Sequence, residues 1–192
     1  MSVEDDISHF RAELGHRSVN ELVQRYITFG DCVTLSAAVY FDLKTQVARH
    51  FSIHISEVLI VGSAKLGFSI APDKRYRPFG ETSDIDVVIC SSTLFDLFWK
   101  DVFDYWARGE VWPSFGDFRK YLFRGWMRPD KLPPAPSFQL SQDWWEFFRG
   151  LTGSGTFGPY KITGALYKSW HFLESYQQKC VRDCKIQEGD PE

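Results

Sequence analysis

Val58 to Val88 reads VLIVGSAKLGFSIAPDKRYRPFGETSDIDVV, and its two apolar runs break in unusual places. The first, from Glu57 to Gly62, is rich in branched residues, too short for a helix, and stops at a glycine, so it predicts a strand. The second, Ile85 to Cys90, predicts another strand, entered through Asp84 and Asp86. Side chains two apart on a strand point to the same face, so the two carboxylates project together while Ile85, Val87 and Ile89 pack on the other side. Like charges that close repel one another and raise a pKa unless a cation lies between them. A divalent ion is the natural guest, and Mg2+ (or Mn2+) takes oxygen ligands, commonly one or two carboxylates with water and substrate phosphates. Gly62 lets backbone approach a phosphate closely, Ser63 offers N–H and hydroxyl donors, and Gly67 closes the short helix or turn after them.

Outward from this stretch the chain reads as helices around a small sheet. Ser18 and Glu21 form a capping box, and Val19, Leu22, Val23, Tyr26 and Ile27 continue at helical spacing to Gly30. A second helix runs from about Ser36 to Phe51 on the stripe Val39, Tyr40, Leu43, Val47 and Phe51. Ile70 to Ser83 is a long loop carrying Lys74, Arg75 and Arg77, and loops of that length inside a compact domain are usually functional or disordered. Helices are expected over Thr93–Ala107, Phe115–Trp126, Ser141–Leu151 and Lys168–Lys185, with RPDKLPPAPS a stiff connector. YKITGALY is expected as a third strand and IQEGDPE as a frayed tail. The expected fold class is α/β (α+β), a small mixed sheet flanked by helices. One domain spans 1–192, with a helical segment over 1–52, a core over about 55–185 and a tail over 186–192.

At 192 residues and 44% hydrophobic, the chain is long enough for one well-cored domain and too short for two. A net charge of −3 gives no overall attraction to nucleic acid or anionic lipid, so a polyanion site has to be a local cluster of Lys and Arg. No apolar run reaches the roughly 18–20 residues of a spanning helix, and the acidic start MSVEDDISHF is unlike a secretory signal; a soluble, cytoplasmic protein without membrane insertion is expected. Cys32, Cys90, Cys180 and Cys184 read as free thiols; Cys180 and Cys184 lack a second ligand pair, and the five histidines show no ligand spacing. Gly153–Gly155 lacks the lysine and helix of a phosphate loop and reads as a turn. Aromatic residues make up 17% of the chain, which reads as a thick core rather than a base-stacking platform.

GSAKLGFS followed by SDIDVVI resembles the nucleotidyltransferase superfamily that includes DNA polymerase beta, template-independent poly(A) and CCA-adding enzymes and cyclic-oligonucleotide synthases. The spacing of Gly62, Ser63 and Gly67 is most similar to the poly(A) and cyclic-oligonucleotide branches. The resemblance covers about residues 57–92. It implies that Gly62, Ser63, Lys65 and Ser69 bind the nucleotide and that Asp84 and Asp86 are catalytic and bind magnesium. It implies transfer of an NMP or dNMP from an NTP or dNTP, without a template, to a hydroxyl of an oligonucleotide, a second nucleotide, a tRNA or a partner protein. It also implies a role in bacterial phage (antiviral) defence or a toxin-antitoxin pair.

Two features depart from the family. The basic insert APDKRYRPFGE lengthens the loop before Asp84, and its Lys74, Arg75 and Arg77, like Lys65, read equally as solvated charges or as triphosphate or nucleic-acid contacts. The family's third carboxylate has no counterpart in YKITGALY, while Asp101, Asp104, Asp117 and Asp143 fall in helices or connectors. The alternative is an inactive nucleotide- or oligonucleotide-binding regulator of a partner protein. Lys161 and Lys168 read equally as site residues or exposed edge lysines.

Overall fold

The computed structural model describes residues 2–134 and 136–189. Its strands are β1 (Val58–Val61), β2 (Asp84–Cys90), β3 (Trp126–Met127) and β4 (Lys161–Tyr167), forming a mixed sheet in the order β1-β2-β4-β3. β1 runs antiparallel to β2 with Val61 opposite Asp86, β2 runs parallel to β4 with Asp86 opposite Thr163, and β3 pairs antiparallel with β4. Alternation sorts the strand residues onto two faces. Val58, Ile60, Ile85, Val87, Ile89, Ile162 and Leu166 enter one core cluster. Leu59, Val61, Val88 and Tyr167 enter the other. Both faces are covered, which is why β1 is an unbroken apolar run instead of an alternating one.

The helices are α1 (Val3–Leu14), α2 (Val19–Val23), α3 (Ala37–His50), α4 (Gly62–Leu66), α5 (Ser92–Ala107), α6 (Phe115–Phe123), α7 (Gln139–Gly153) and α8 (Trp170–Gln187). α3, α5, α6 and α7 cover the first face through side chains such as Leu43, Phe98, Phe118, Trp144 and Phe148. α1, α2 and α8 cover the second through Phe10, Leu14, Leu22, Val23, Leu173 and Val181. The result is a mixed α/β fold in three layers, and the N-terminal helices are divided between the two outer ones, α1 and α2 on one face and α3 on the other.

Local chemistry explains most element ends. Ser18 accepts from the Glu21 N–H and Glu21 answers at the Ser18 N–H, the expected capping box. Ser2 and Asp5 make a second such box, which starts α1. Beyond Val23 the helix widens into a π-turn (Gln24–Thr28) and stops two residues short of Gly30. The helix expected to reach Trp126 stops at Phe123, because Trp126 and Met127 pair with Tyr167 and Leu166 of β4. The Lys168 N–H bonds the Gly125 carbonyl and prolongs that pairing, so α8 begins at Trp170 instead of Lys168. Of the tail expected to fray, Ile186 and Gln187 stay helical and Glu188 pairs with Arg11 at 2.9 Å and Arg75 at 3.6 Å; residues 190–192 lie outside the described residues. No helix among the described residues is long and apolar enough to cross a membrane.

Candidate functional site

The end of β1 and the start of β2 meet at a single point. Gly62 adopts φ +68°, a left-handed conformation that L side chains rarely take, and a Cβ there would lie 2.9 Å from Asp86 Oδ2. The glycine therefore admits a carboxylate as well as a turn. α4 follows for five residues and ends at Gly67, whose N–H bonds the Ser63 carbonyl at φ +84°, the closure expected of that residue.

Asp84 and Asp86 share a face of β2, as the two-residue spacing requires. Asp86 lies between β1 and β4, where the Thr163 hydroxyl donates to Asp86 Oδ1 at 2.8 Å. Burial raises the Asp86 pKa above its usual value; the Thr163 hydrogen bond opposes that shift, and the charge of Asp84 adds to it. Asp84 is more open, its side chain 42% exposed, with Lys161 Nζ 3.7 Å from Oδ2. Lys161 is thus at the site, whereas Lys168 pairs with Asp96 elsewhere.

The loop between α4 and β2 is ordered by its own backbone. Phe68 bridges to Pro78, the Ser69 N–H bonds the Arg77 carbonyl at 2.9 Å, and the Tyr76 N–H bonds the Ser69 carbonyl at 2.7 Å. These bonds divide the basic residues. Lys74 and Arg77 line a cleft of about 400 Å3 together with Ser63, Ser69, Asp84 and Asp86. Arg75 turns instead toward Glu188 on the far side of the loop.

Lys65 does not join them. It is 2% exposed, its ammonium donates to the Gly30 carbonyl and lies 5.9 Å from the Tyr40 ring centroid, and burial pushes its pKa down. The cause is tertiary. The segment after the π-turn folds across α4, with Thr34 Oγ1 donating to the Ala64 carbonyl at 2.8 Å, and it covers the helix face that carries Lys65. Lys65 is therefore a structural lysine and not a cleft contact, a correction to the expectation for that residue.

Among the described residues two carboxylates, Asp84 and Asp86, line the site. Thr163 stands beside Asp86 on the neighbouring strand, and Asp104 and Asp117 pair with Lys100 and Lys120 while Asp143 accepts from Gln139. Among the described residues there is no group of three or more His, Cys, Asp or Glu placed to hold a metal ion. Two carboxylates with hydroxyls and cations around them still suit a hard ion that arrives with substrate phosphates as its remaining ligands.

Sequence reasoning missed Thr163, Thr82 and Ser83 at this end of the cleft, and Trp126, Tyr176 and Gln177 deeper in it. One signal for Thr163 was present: Lys161 and Thr163 repeat the two-residue spacing of Asp84 and Asp86, and the register pairs them. The chain matches no family model, no curated protein and no solved structure.

Proposed function

We propose that the cleft binds a nucleoside triphosphate with Mg2+ or Mn2+ and transfers its nucleotidyl group to a hydroxyl acceptor. The observation that carries this reading is the placement of Asp84 and Asp86 on one face of β2, with Asp86 against Gly62 and with Ser63, Lys74 and Arg77 lining the same cleft.

Asp84 and Asp86 would hold the ion, which when bound neutralises phosphate oxygens and stabilises charge in the displacement. Lys74 and Arg77 offset the remaining triphosphate charge, and the Ser63 and Ser69 hydroxyls are available to its oxygens. Thr163 fixes Asp86 by engaging Oδ1 and leaves Oδ2, the oxygen facing Gly62, as the free ligand atom. In the reaction the acceptor oxygen bonds to the α-phosphorus, the bond from that phosphorus to the oxygen bridging to the β-phosphate breaks, and pyrophosphate leaves. The acceptor's proton passes to water, since among the described residues no third carboxylate joins the pair.

Thr163 also favours a second reading, a regulator that binds nucleotide without turning it over, because a hydroxyl cannot replace a carboxylate base. Incubation with each radiolabelled NTP and dNTP plus Mg2+ or Mn2+ separates the two. Labelled product that disappears in Asp84→Ala and Asp86→Ala supports transfer. Metal-dependent binding without product supports the regulator, and neither binding nor product refutes both.

A further inference from the structure

The cleft does not end at the carboxylates. The face of β2 that carries Asp84 and Asp86 continues to Val88, and the face of β4 that carries Thr163 continues to Ala165 and Tyr167, all lining the same cavity. Trp126 of β3 pairs with Tyr167 in register and stacks on its ring at 5.4 Å and 12°. α8 covers this apolar floor with its buried stripe Leu173, Gln177, Val181 and Cys184.

Gln177 is out of character in that stripe. It is 6% exposed, it lines the cleft, and its amide makes no hydrogen bond within the described residues. The indole N–H of Trp126, another lining residue, is buried without an acceptor among the described residues. Polar groups placed in an apolar cavity fix the orientation of a bound planar ligand. The amide presents a donor and an acceptor side by side in one plane, the complement of a heterocyclic base edge that offers the same pair.

We propose that the inner, apolar end of the cleft beneath α8 is a nucleobase subsite whose edge is read by the Gln177 amide. This rests on the nucleotide reading of the outer end: the triphosphate lies at Asp84, Asp86, Lys74 and Arg77, and the base enters over Val88 and Ala165. The cavity, about 400 Å3, is within the usual range of small-molecule sites.

The test compares Mg2+-tripolyphosphate with the four Mg2+-NTPs by calorimetry on the full chain. Wild type is expected to bind at least one NTP more tightly than tripolyphosphate. Gln177→Leu is expected to bind that NTP about tenfold more weakly, to bind tripolyphosphate unchanged, and to melt, without ligand, no lower than wild type. Ala165→Leu, which fills the floor without touching Gln177's chemistry, is expected to give the same selective loss and serves if the first variant fails to fold. Equal wild-type affinity for NTP and tripolyphosphate, or unchanged NTP affinity in the variants, overturns the base subsite and leaves the phosphate and metal reading standing. Failure of wild type to bind either ligand overturns both.

Discussion

The two faces of the sheet are built from alternate residues of the same strands, yet they are put to opposite uses. On the face under α3, α5 and α7, Ile85, Val87 and Ile162 meet Phe98, Trp144 and Phe148, and the packing is so close that a Cβ on Gly164 would lie 2.2 Å from the Phe148 ring. On the face under α1, α2 and α8, their neighbours Asp84, Asp86 and Thr163 border a cleft, and one inward position of α8 is an amide. A sheet sealed on both sides has room for no ligand. Here one face supplies the cohesion that lets the other carry a desolvated carboxylate, Asp86, and an incompletely filled cavity.

Four experiments test that division, beginning with the largest expected effect. Phe148→Ala, on the sealed face, is expected to cost about 3–5 kcal/mol in denaturant unfolding. An effect below about 1 kcal/mol would mean that the sealed face does not dominate stability. On the cleft face, Asp84→Ala with Asp86→Ala is expected to lower product formation on the order of 100-fold or more while the chain stays folded. Full activity in a folded double variant would break the comparison.

The third concerns the basic residues. Lys74→Ala with Arg77→Ala is expected to weaken triphosphate binding about tenfold, with the loss shrinking at high salt, because partly exposed charges are screened. Lys65→Met, buried beneath the 29–35 segment, is expected to leave that affinity unchanged; a matching loss would return Lys65 to the cleft. The smallest effect involves pH. Burial raises the Asp86 pKa above the usual 3.8, so its charged form carries a stability cost absent at low pH that develops as pH rises through the raised value. Asp86→Asn keeps an acceptor for Thr163 and carries no charge. Without divalent ions it is expected to melt above wild type at neutral pH and level with it at the lowest pH where both fold. A lower melting temperature at neutral pH would reverse the sign assigned to burial of the Asp86 charge. Added Mg2+ with NTP is expected to raise the melting temperature of wild type and not of Asp86→Asn.

Much of this was legible in the residues because it is local. The strand at Ile85–Cys90 and the helix capped by Ser36 follow from patterns a few residues long, and the structure has them as β2 and α3 within a residue of the expected ends. β3 was not legible: two residues show no periodicity, and only pairing with β4 makes a strand of them. The π-turn after Val23 shares its apolar spacing with an ordinary helix, so nothing in the pattern marks it. Lys65 misled because proximity to Ser63 along the chain says nothing about which side of α4 another segment covers.

What the sequence by itself determined is the convergence of Asp84 and Asp86 on one face and the glycine-bounded turn from Gly62 to Gly67, since covalent geometry and backbone periodicity set positions within an element. The tertiary structure alone decided that a threonine and not a carboxylate adjoins Asp86, that Lys74 and Arg77 line the cleft while Lys65 is buried, and that Gln177 lines it too. These are matters of which strand pairs beside β2 and which helix lies over it. They are settled by burying apolar faces distant in the chain, and no local spacing encodes that choice.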